Sequence, residues 1–243
     1  MFGKNEVRSA EHDASGDSLR VHSVFKTIQG EGPLAGRRCI FIRLAGCNLR
    51  CHFCDTEFDK GWDAPQSIES ILEAVKTAAG PEDNGHELIV ITGGEPLLQN
   101  IAPLCDALFA FGTDTIQIET AGTVWPGAEF EEVFLNSDIR LVCSPKTPKI
   151  HPKIEEHCYD YKYILADGEV SARDGLPTFS TQAQNMVAKI FRPTPTQATT
   201  IWIQPRDDHD DEKNKANLNI TAWSCLTFGH RISIQGHKIL GVE

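Results

Sequence analysis

Short apolar runs of strand length alternate with helical stretches through most of this chain, and no other feature limits its fold as tightly. The runs are Cys39 to Leu44, Glu87 to Ile91, Asp114 to Glu119, Ile139 to Cys143, Tyr161 to Leu165, Thr200 to Gln204 and Arg231 to Gln235. Between them, Ser67 to Ala79 carries Ile68, Ile71, Leu72 and Val75 at helical spacing. Ser67 suits its N-cap and Gly80-Pro81 its stop. Further helices are expected from Leu97 to Phe111, from Ser180 to Ile190 and from Asp211 to Leu226. Apolar strands separated by helices imply a parallel sheet with crossovers. The expected fold is α/β, an incomplete TIM-like barrel of about six parallel strands. Residues 1–20 are polar and aperiodic and read as a loose tail. Residues 21–243 read as one domain, without repeat or linker.

The strand ends carry the unusual chemistry. They are the segments that begin at Gly46, Thr92, Glu119, Ser144 and Gln204. Loops that follow barrel strands share one face, so these segments are expected to build one site. The first holds Cys47, Cys51 and Cys54 at C-x3-C-x2-C spacing, with no fourth cysteine nearby. Four-iron clusters normally take four thiolates. Three thiolates in one loop therefore leave one iron open to a substrate or cofactor. Zinc is the alternative, with Cys47 and His52 completing the Cys51 and Cys54 pair. Structural zinc sites usually join two separated knuckles, however, and no second knuckle follows. Buried free thiols fit poorly among Asn48, Arg50 and His52.

Composition narrows the function classes. Lys plus Arg is 23 and Asp plus Glu is 34, a formal charge of −11. That balance disfavours sequence-independent nucleic-acid binding, which needs clustered cations. No apolar run has the length of a membrane span, and the N-terminus lacks an apolar signal core. A cytoplasmic protein is expected, whose eight cysteines are not a disulfide framework. Cys39, Cys105, Cys143 and Cys225 lie in strand-like or helix-like runs and read as buried small hydrophobes. Cys158 has no assigned role.

The cysteine loop with Gly93-Gly94-Glu95-Pro96 at a later strand end resembles the radical S-adenosylmethionine (SAM) superfamily. Other segments resemble one family within it, the 7-carboxy-7-deazaguanine synthases of queuosine and 7-deazapurine biosynthesis. They are Thr27-Ile28-Gln29-Gly30-Glu31-Gly32, Asp55-Thr56, Glu119 to Thr123, Ser144-Pro145-Lys146, Gln204-Pro205 and Gln235 to Lys238. The resemblance runs from about Ser23 to the C-terminus.

The resemblance implies a lyase with a [4Fe–4S] cluster on Cys47, Cys51 and Cys54. Its open iron would chelate SAM, whose reductive cleavage gives a 5′-deoxyadenosyl radical. The implied reaction turns 6-carboxy-5,6,7,8-tetrahydropterin into 7-carboxy-7-deazaguanine, with loss of ammonia and with SAM regenerated. Mg2+ would meet the hydroxyl of Thr56, since a hard cation suits oxygen ligands. By the same resemblance, Ile28, Gln29, Gly30, Arg43, Thr92 and the terminal carboxylate of Glu243 contact substrate. Phe53, Cys54 and Asp55 would take the adenosyl end of SAM, and Gly94 the methionine end. Glu119, Ser144, Pro145 and Lys146 would line the rest of that pocket, with Gln204, Pro205, Arg206 and Asp207. An external flavodoxin- or ferredoxin-like electron donor and a homodimer are implied as well, with no nucleic-acid or membrane partner.

Several residues carry a plainer reading beside this one. Arg43 suits a substrate carboxylate through its guanidinium fork and equally suits an internal ion pair. Thr56 also reads as a turn cap, Gln29-Gly30 as a Gly-rich turn, and Glu243 as a frayed end. Ala121 stands where the family more often has Asn, and Arg206 where it is often apolar. His237 reads as structural or catalytic alike. The run Asp207 to Glu212 reads as the cap of the following helix rather than as a metal site. Two rival functions use the same cysteines: a radical activase acting on a partner protein, and a non-enzymatic zinc or iron–sulfur module.

Overall fold

The computed structural model describes residues 6–8, 15–54, 56–59, 62–81, 88–182 and 188–242. Through these the chain runs β1 (Ser18–Ile28), β2 (Arg38–Leu44), β3 (Pro65–Ser67), α1 (Ile68–Ala79), β4 (Leu88–Gly93), α2 (Ala102–Ala110) and β5 (Thr115–Thr120). It continues through α3 (Ala128–Asn136), β6 (Ile139–Cys143), α4 (Pro152–His157), β7 (Asp160–Leu165) and β8 (Thr200–Pro205). It ends with α5 (Asp211–Phe228), β9 (Arg231–Ile232) and α6 (Gly236–Leu240). One sheet holds the strands in the order β3-β1-β2-β4-β5-β6-β7-β8-β9. From β2 to β9 every neighbouring pair is parallel. β1 and β3 add an antiparallel edge. The result is the expected partial barrel, an open sheet whose crossovers carry α1 to α5.

Strand alternation divides each strand between two environments. On β2, Ile40, Ile42 and Leu44 join the large core between sheet and helices. Cys39 and Phe41 belong to a smaller inner cluster with Leu34, Leu88 and Val90. Arg43 shares the inward phase of Cys39 and Phe41. The same phase places Gln117 and Glu119 of β5 inside, with Val142 of β6, Lys162 and Ile164 of β7, and Gln204 of β8. Outward neighbours such as Ile116, Ile118, Leu141, Tyr163 and Ile203 join the outer core. The barrel interior is therefore apolar at the strand starts and polar towards the strand ends.

α1 forms where its spacing predicts. The Ser67 hydroxyl accepts from the Ser70 N–H at 3.3 Å, and Gly80 ends the helix at φ 86°. Ile71 and Val75 are fully buried, worth about 1.5–3 kcal/mol each. Cys39, Cys105, Cys143 and Cys158 are buried, while Cys225 is half-buried.

Four expectations change. The helix proposed for Leu97 to Phe111 is two pieces, a 3-10 turn at Pro96–Leu98 and then α2. Pro103 enters at the first turn of α2, where its missing N–H costs nothing, and it restricts the residue before it. The Asn100 side chain accepts from Ala102 N–H at 3.2 Å and starts the new helix. The described part of Ser180 to Ile190 is extended rather than helical, with Phe179 bridged to Lys189. There the Ser180 hydroxyl and the Thr181 N–H both donate to the Lys146 carbonyl, at 2.7 and 3.2 Å. The strand expected for Arg231 to Gln235 stops at Ile232, because the chain turns and Gly236 N–H donates to the Gly30 carbonyl at 3.1 Å. Finally, ordered structure begins before residue 21. β1 opens at Ser18, and Leu19 is buried in the core.

Candidate functional site

The strand ends and the loops after them enclose a cavity of about 690 Å³. Arg43, Glu119, Lys162 and Gln204 enter it from four strands, and Cys47, Cys51 and Cys54 stand on its wall. The cysteine loop is held mainly through backbone. Ala45 N–H donates to Arg20 O and Gly46 N–H to Phe58 O, both at 2.8 Å. Glu95 N–H donates to Gly46 O at 2.9 Å. A Cβ on Gly94 would lie 2.0 Å from that Gly46 oxygen, and one on Gly93 2.1 Å from Leu44 O. The two glycines of Gly93-Gly94-Glu95-Pro96 thus let this loop lie flat against the cysteine loop. Behind it, Trp62 packs on Gly46, and the guanidinium groups of Arg8 and Arg20 lie over its rings at 5.1 and 4.7 Å. Arg8 N–H also donates to Cys47 O at 2.8 Å, so residues 6–8 brace the loop.

The sulfurs suit iron. Cys47 is buried, and Cys51 and Cys54 are half-buried. Burial, reinforced by the Glu95 charge, pushes the Cys47 thiol well above the usual thiol range. Metal binding would discharge that proton. Cys51 Sγ accepts from the Gln182 amide at 3.0 Å and from the Thr181 hydroxyl at 3.3 Å. Cys47 Sγ accepts from Leu49 N–H at 3.4 Å. Such donors favour a metal-bound thiolate over a neutral thiol. Among the described residues no group of three His, Cys, Asp or Glu is arranged to hold a single metal ion. Three thiols on one cavity wall would each serve a different iron of a multi-iron cluster.

A second set of polar groups lines the inner wall. Glu31 accepts from Lys162 Nζ, from Gln235 Nε2 at 2.8 Å and from Gln204 Nε2 at 3.1 Å. Burial alone would raise its pKa, but the Lys162 charge and these hydrogen bonds hold it down at about 2. Lys162 is also 3.9 Å from Glu119. Glu119 in turn accepts from Gln29 at 3.0 Å and from Gln117 at 3.1 Å. Lys162 received no role from the sequence. Its signal was there: a lysine in the inward phase of the apolar run Tyr161 to Leu165.

Glu95, fully buried, locks two strand ends together. It accepts from the Thr120 hydroxyl and from Ala121 N–H, both at 2.7 Å, and from Leu97 N–H at 3.1 Å. Burial nevertheless pushes its carboxyl up to about 7. A raised folded-state pKa means that stability present below about 4.5 is lost as pH rises through about 7. In Glu95→Gln an N–H2 group faces a donor, with an expected loss of about 1–3 kcal/mol. Denaturant melts should show that loss, and the variant should lack the Glu95 share of the pH dependence.

The cavity gathers most residues singled out in the sequence. Gln29, Phe53, Thr56, Gly94, Ser144 and Lys146 line it, as do Pro205, Arg206 and Asp207. Phe53 faces Lys146 Nζ at 5.9 Å and the Arg206 guanidinium at 6.0 Å. Arg43 stacks over Phe25 at 5.3 Å, and among the described residues it has no carboxylate partner. Ile28, Gly30, Thr92 and Pro145 are not on the cavity wall. Gly30 instead makes room for a neighbour, since a Cβ there would lie 2.1 Å from His237 Nδ1. Thr92 is the register partner of Arg43. Asp207 is held by Lys238 at 2.7 Å, and Arg206 by Asp208 at 2.8 Å and Glu169 at 3.0 Å. Asp210 caps α5 by accepting from Lys213 N–H at 3.1 Å, as the acidic run suggests. At Ala121 the backbone N–H donates to Glu95 Oε2 at 2.7 Å. Asp55 and Glu243 lie outside the described residues.

Known proteins resemble this arrangement. A family model described as the radical SAM superfamily matches residues 41–161. The 7-carboxy-7-deazaguanine synthase of Rhodospirillum rubrum is 39% identical over 248 residues, which covers 100% of both chains. That of Rickettsia prowazekii is 37% identical, over 100% of this chain and 96% of its own. Among solved structures, the crystal structure of QueE from Escherichia coli shares the fold at a TM-score of 0.62 and 23% identity. That match covers 90% of this chain and 95% of the other.

Proposed function

Because the chain belongs to the 7-carboxy-7-deazaguanine synthase family of radical SAM enzymes, we infer that ring contraction of a carboxylated pterin takes place in the cavity between Arg43 and the three cysteines. The enzyme converts 6-carboxy-5,6,7,8-tetrahydropterin to 7-carboxy-7-deazaguanine. One nitrogen leaves with three hydrogens as ammonia, so the overall change needs no net oxidant. The observation that carries the reading is a single cavity wall that holds three thiols and an inward arginine stacked on Phe25.

The residues present fit the implied groups. Cys47, Cys51 and Cys54 would hold the [4Fe–4S] cluster. Phe53, Gly94, Ser144, Lys146, Gln204, Pro205 and Arg206 border the space for SAM. Thr56 lines the cavity, and its hydroxyl would offer an oxygen to Mg2+, a hard cation that suits oxygen ligands. When bound, the cluster and SAM supply the one-electron chemistry that removes hydrogen from C6 of the pterin.

The chain's own residues bind and orient. Arg43 takes the substrate carboxylate through two parallel N–H donors, its guanidinium held in place by the Phe25 ring. The Gln29 amide and the Glu119 carboxylate form a fixed polar edge for the heterocycle. Phe41, Val142 and Ile164 supply an apolar wall that keeps water from the reacting face. An external flavodoxin- or ferredoxin-like reductant, a homodimer and a cytoplasmic setting belong to the same reading, and family membership supports them. Among the described residues no helix is long and apolar enough to cross a membrane.

Anaerobically reconstituted protein, given SAM, Mg2+, a reductant and the carboxytetrahydropterin, is expected to release the deazaguanine and ammonia in equal amounts. A full iron complement without product would overturn the reading. Thr56→Ala is expected to retain its iron but to need several-fold more Mg2+ for half-maximal rate. An unchanged Mg2+ response would remove Thr56 from the metal site.

A further inference from the structure

We propose that Thr181 and Gln182, in the connection between β7 and β8, form a hydrogen-bonding clasp on Cys51 that sets the reduction potential of the cluster. The inference rests on the cluster reading above, and it assigns a positioning role to two residues outside the cysteine motif.

The donor directions are fixed by geometry. Gln182 Oε1 accepts from Arg50 N–H at 2.8 Å. The other end of the amide, Nε2, must then face Cys51 Sγ at 3.0 Å. The same Nε2 is 2.9 Å from Thr181 Oγ1. That hydroxyl accepts from the amide and sends its own proton to Cys51 Sγ at 3.3 Å. Two side-chain donors thus meet one sulfur. Among the described residues Cys47 Sγ accepts from a backbone N–H at 3.4 Å, and the Cys54 thiol donates to the Thr56 carbonyl at 3.6 Å.

The clasp is rigidly mounted. Ser180 and Thr181 both donate to the carbonyl of Lys146, and His52 Nδ1 lies 3.3 Å from Thr181 O. Lys146 is itself a wall residue of the cavity. The segment that holds the sulfur is therefore fastened to the strand-end loop expected to meet the cofactor.

Hydrogen bonds to ligand sulfurs draw electron density from a cluster and stabilise its reduced, more negative state, which raises its potential. Removing them should lower it. The test is an EPR-monitored redox titration of the reconstituted, SAM-free holoprotein, with iron and sulfide measured on each sample. Thr181→Val deletes one donor at constant shape, Gln182→Met deletes the other, and Thr181→Ser keeps the hydroxyl. Each deletion is expected to shift the midpoint downward. The double variant should cut the reduced-to-oxidised ratio at fixed potential about tenfold, or 59 mV for one electron. Thr181→Ser should titrate with the unmodified protein.

A double variant with full iron and an unmoved midpoint would overturn the proposal. So would loss of iron from each deletion variant at unchanged circular dichroism, because the clasp would then be an anchor. Failure of the cluster reading looks different: the unmodified protein would hold no iron at all.

Discussion

With alanine in place of Cys47, Cys51 or Cys54, the protein is expected to fold, to lose its iron and to form no detectable 7-carboxy-7-deazaguanine. Folding should survive because the loop is held mainly by bonds that involve no sulfur. Ala45, Gly46 and Glu95 fasten it to Arg20, to Phe58 and to itself through main-chain atoms, and Trp62 covers its back. Losing one buried sulfur costs on the order of 1 kcal/mol. The cluster has no comparable reserve, since three thiolates already leave one iron without a protein ligand. Iron and sulfide analysis, thermal melts and product assay separate the two effects. A variant that kept both its iron and its turnover would remove that cysteine from the cluster.

Lys162→Met should produce the largest loss of stability outside the hydrophobic core. Lys162 and Glu31 are almost wholly buried, with 8% and 13% of their side-chain surface exposed. Removing the lysine leaves the carboxylate buried without its cation, a change that costs about 3–5 kcal/mol. The Gln204 and Gln235 amides still reach Glu31, but they carry no charge. A second change, Glu31→Gln, should restore much of the loss, because it removes the stranded charge. The pH dependence gives a further check. A folded-state pKa held down at about 2 contributes stability that is present above about 4.5 and lost as pH falls towards 2. The gap between the unmodified protein and Lys162→Met should therefore narrow below pH 4.5. A gap that stayed constant across that range would exclude Glu31 as its source.

The motifs that line the candidate site were largely legible because each is local. A C-x3-C-x2-C loop and Gly-Gly-Glu-Pro keep their meaning within a few residues of chain, and each sits after an apolar run that marks a strand. Arg43, Glu119 and Gln204 fall at strand ends for the same reason. The wall behind them was not legible as a network. Glu31, Lys162 and Gln235 come from three remote segments, and only the sheet order brings them together. Thr181 and Gln182 were hidden by a helical expectation for Ser180 to Ile190, which bonds to Lys146 override at Ser180 and Thr181, while 183–187 lie outside the described residues. Glu95 was visible as part of a motif, but its work is to tie Leu97, Thr120 and Ala121, and no spacing rule announces that. The two-part helix after Pro96 was signalled by Pro103, whose ring is compatible with a first turn and not with the middle of a long helix. β1 was missed as an element because its alternation is broken, with a bulge between Val21 and Ser23 and a half-buried middle.

Glu31 also bears on how the molecule is made. Its partners lie 131, 173 and 204 residues further along the chain. Closing loops of that length is slow and comes after local structure forms. During synthesis from the N-terminus, the carboxylate waits for Gln235 until 204 further residues have been added. A truncation before Gln235 should leave a sheet that still pairs its early strands but whose inner wall is missing its last bond. The site is then a late product of folding, assembled after its scaffold.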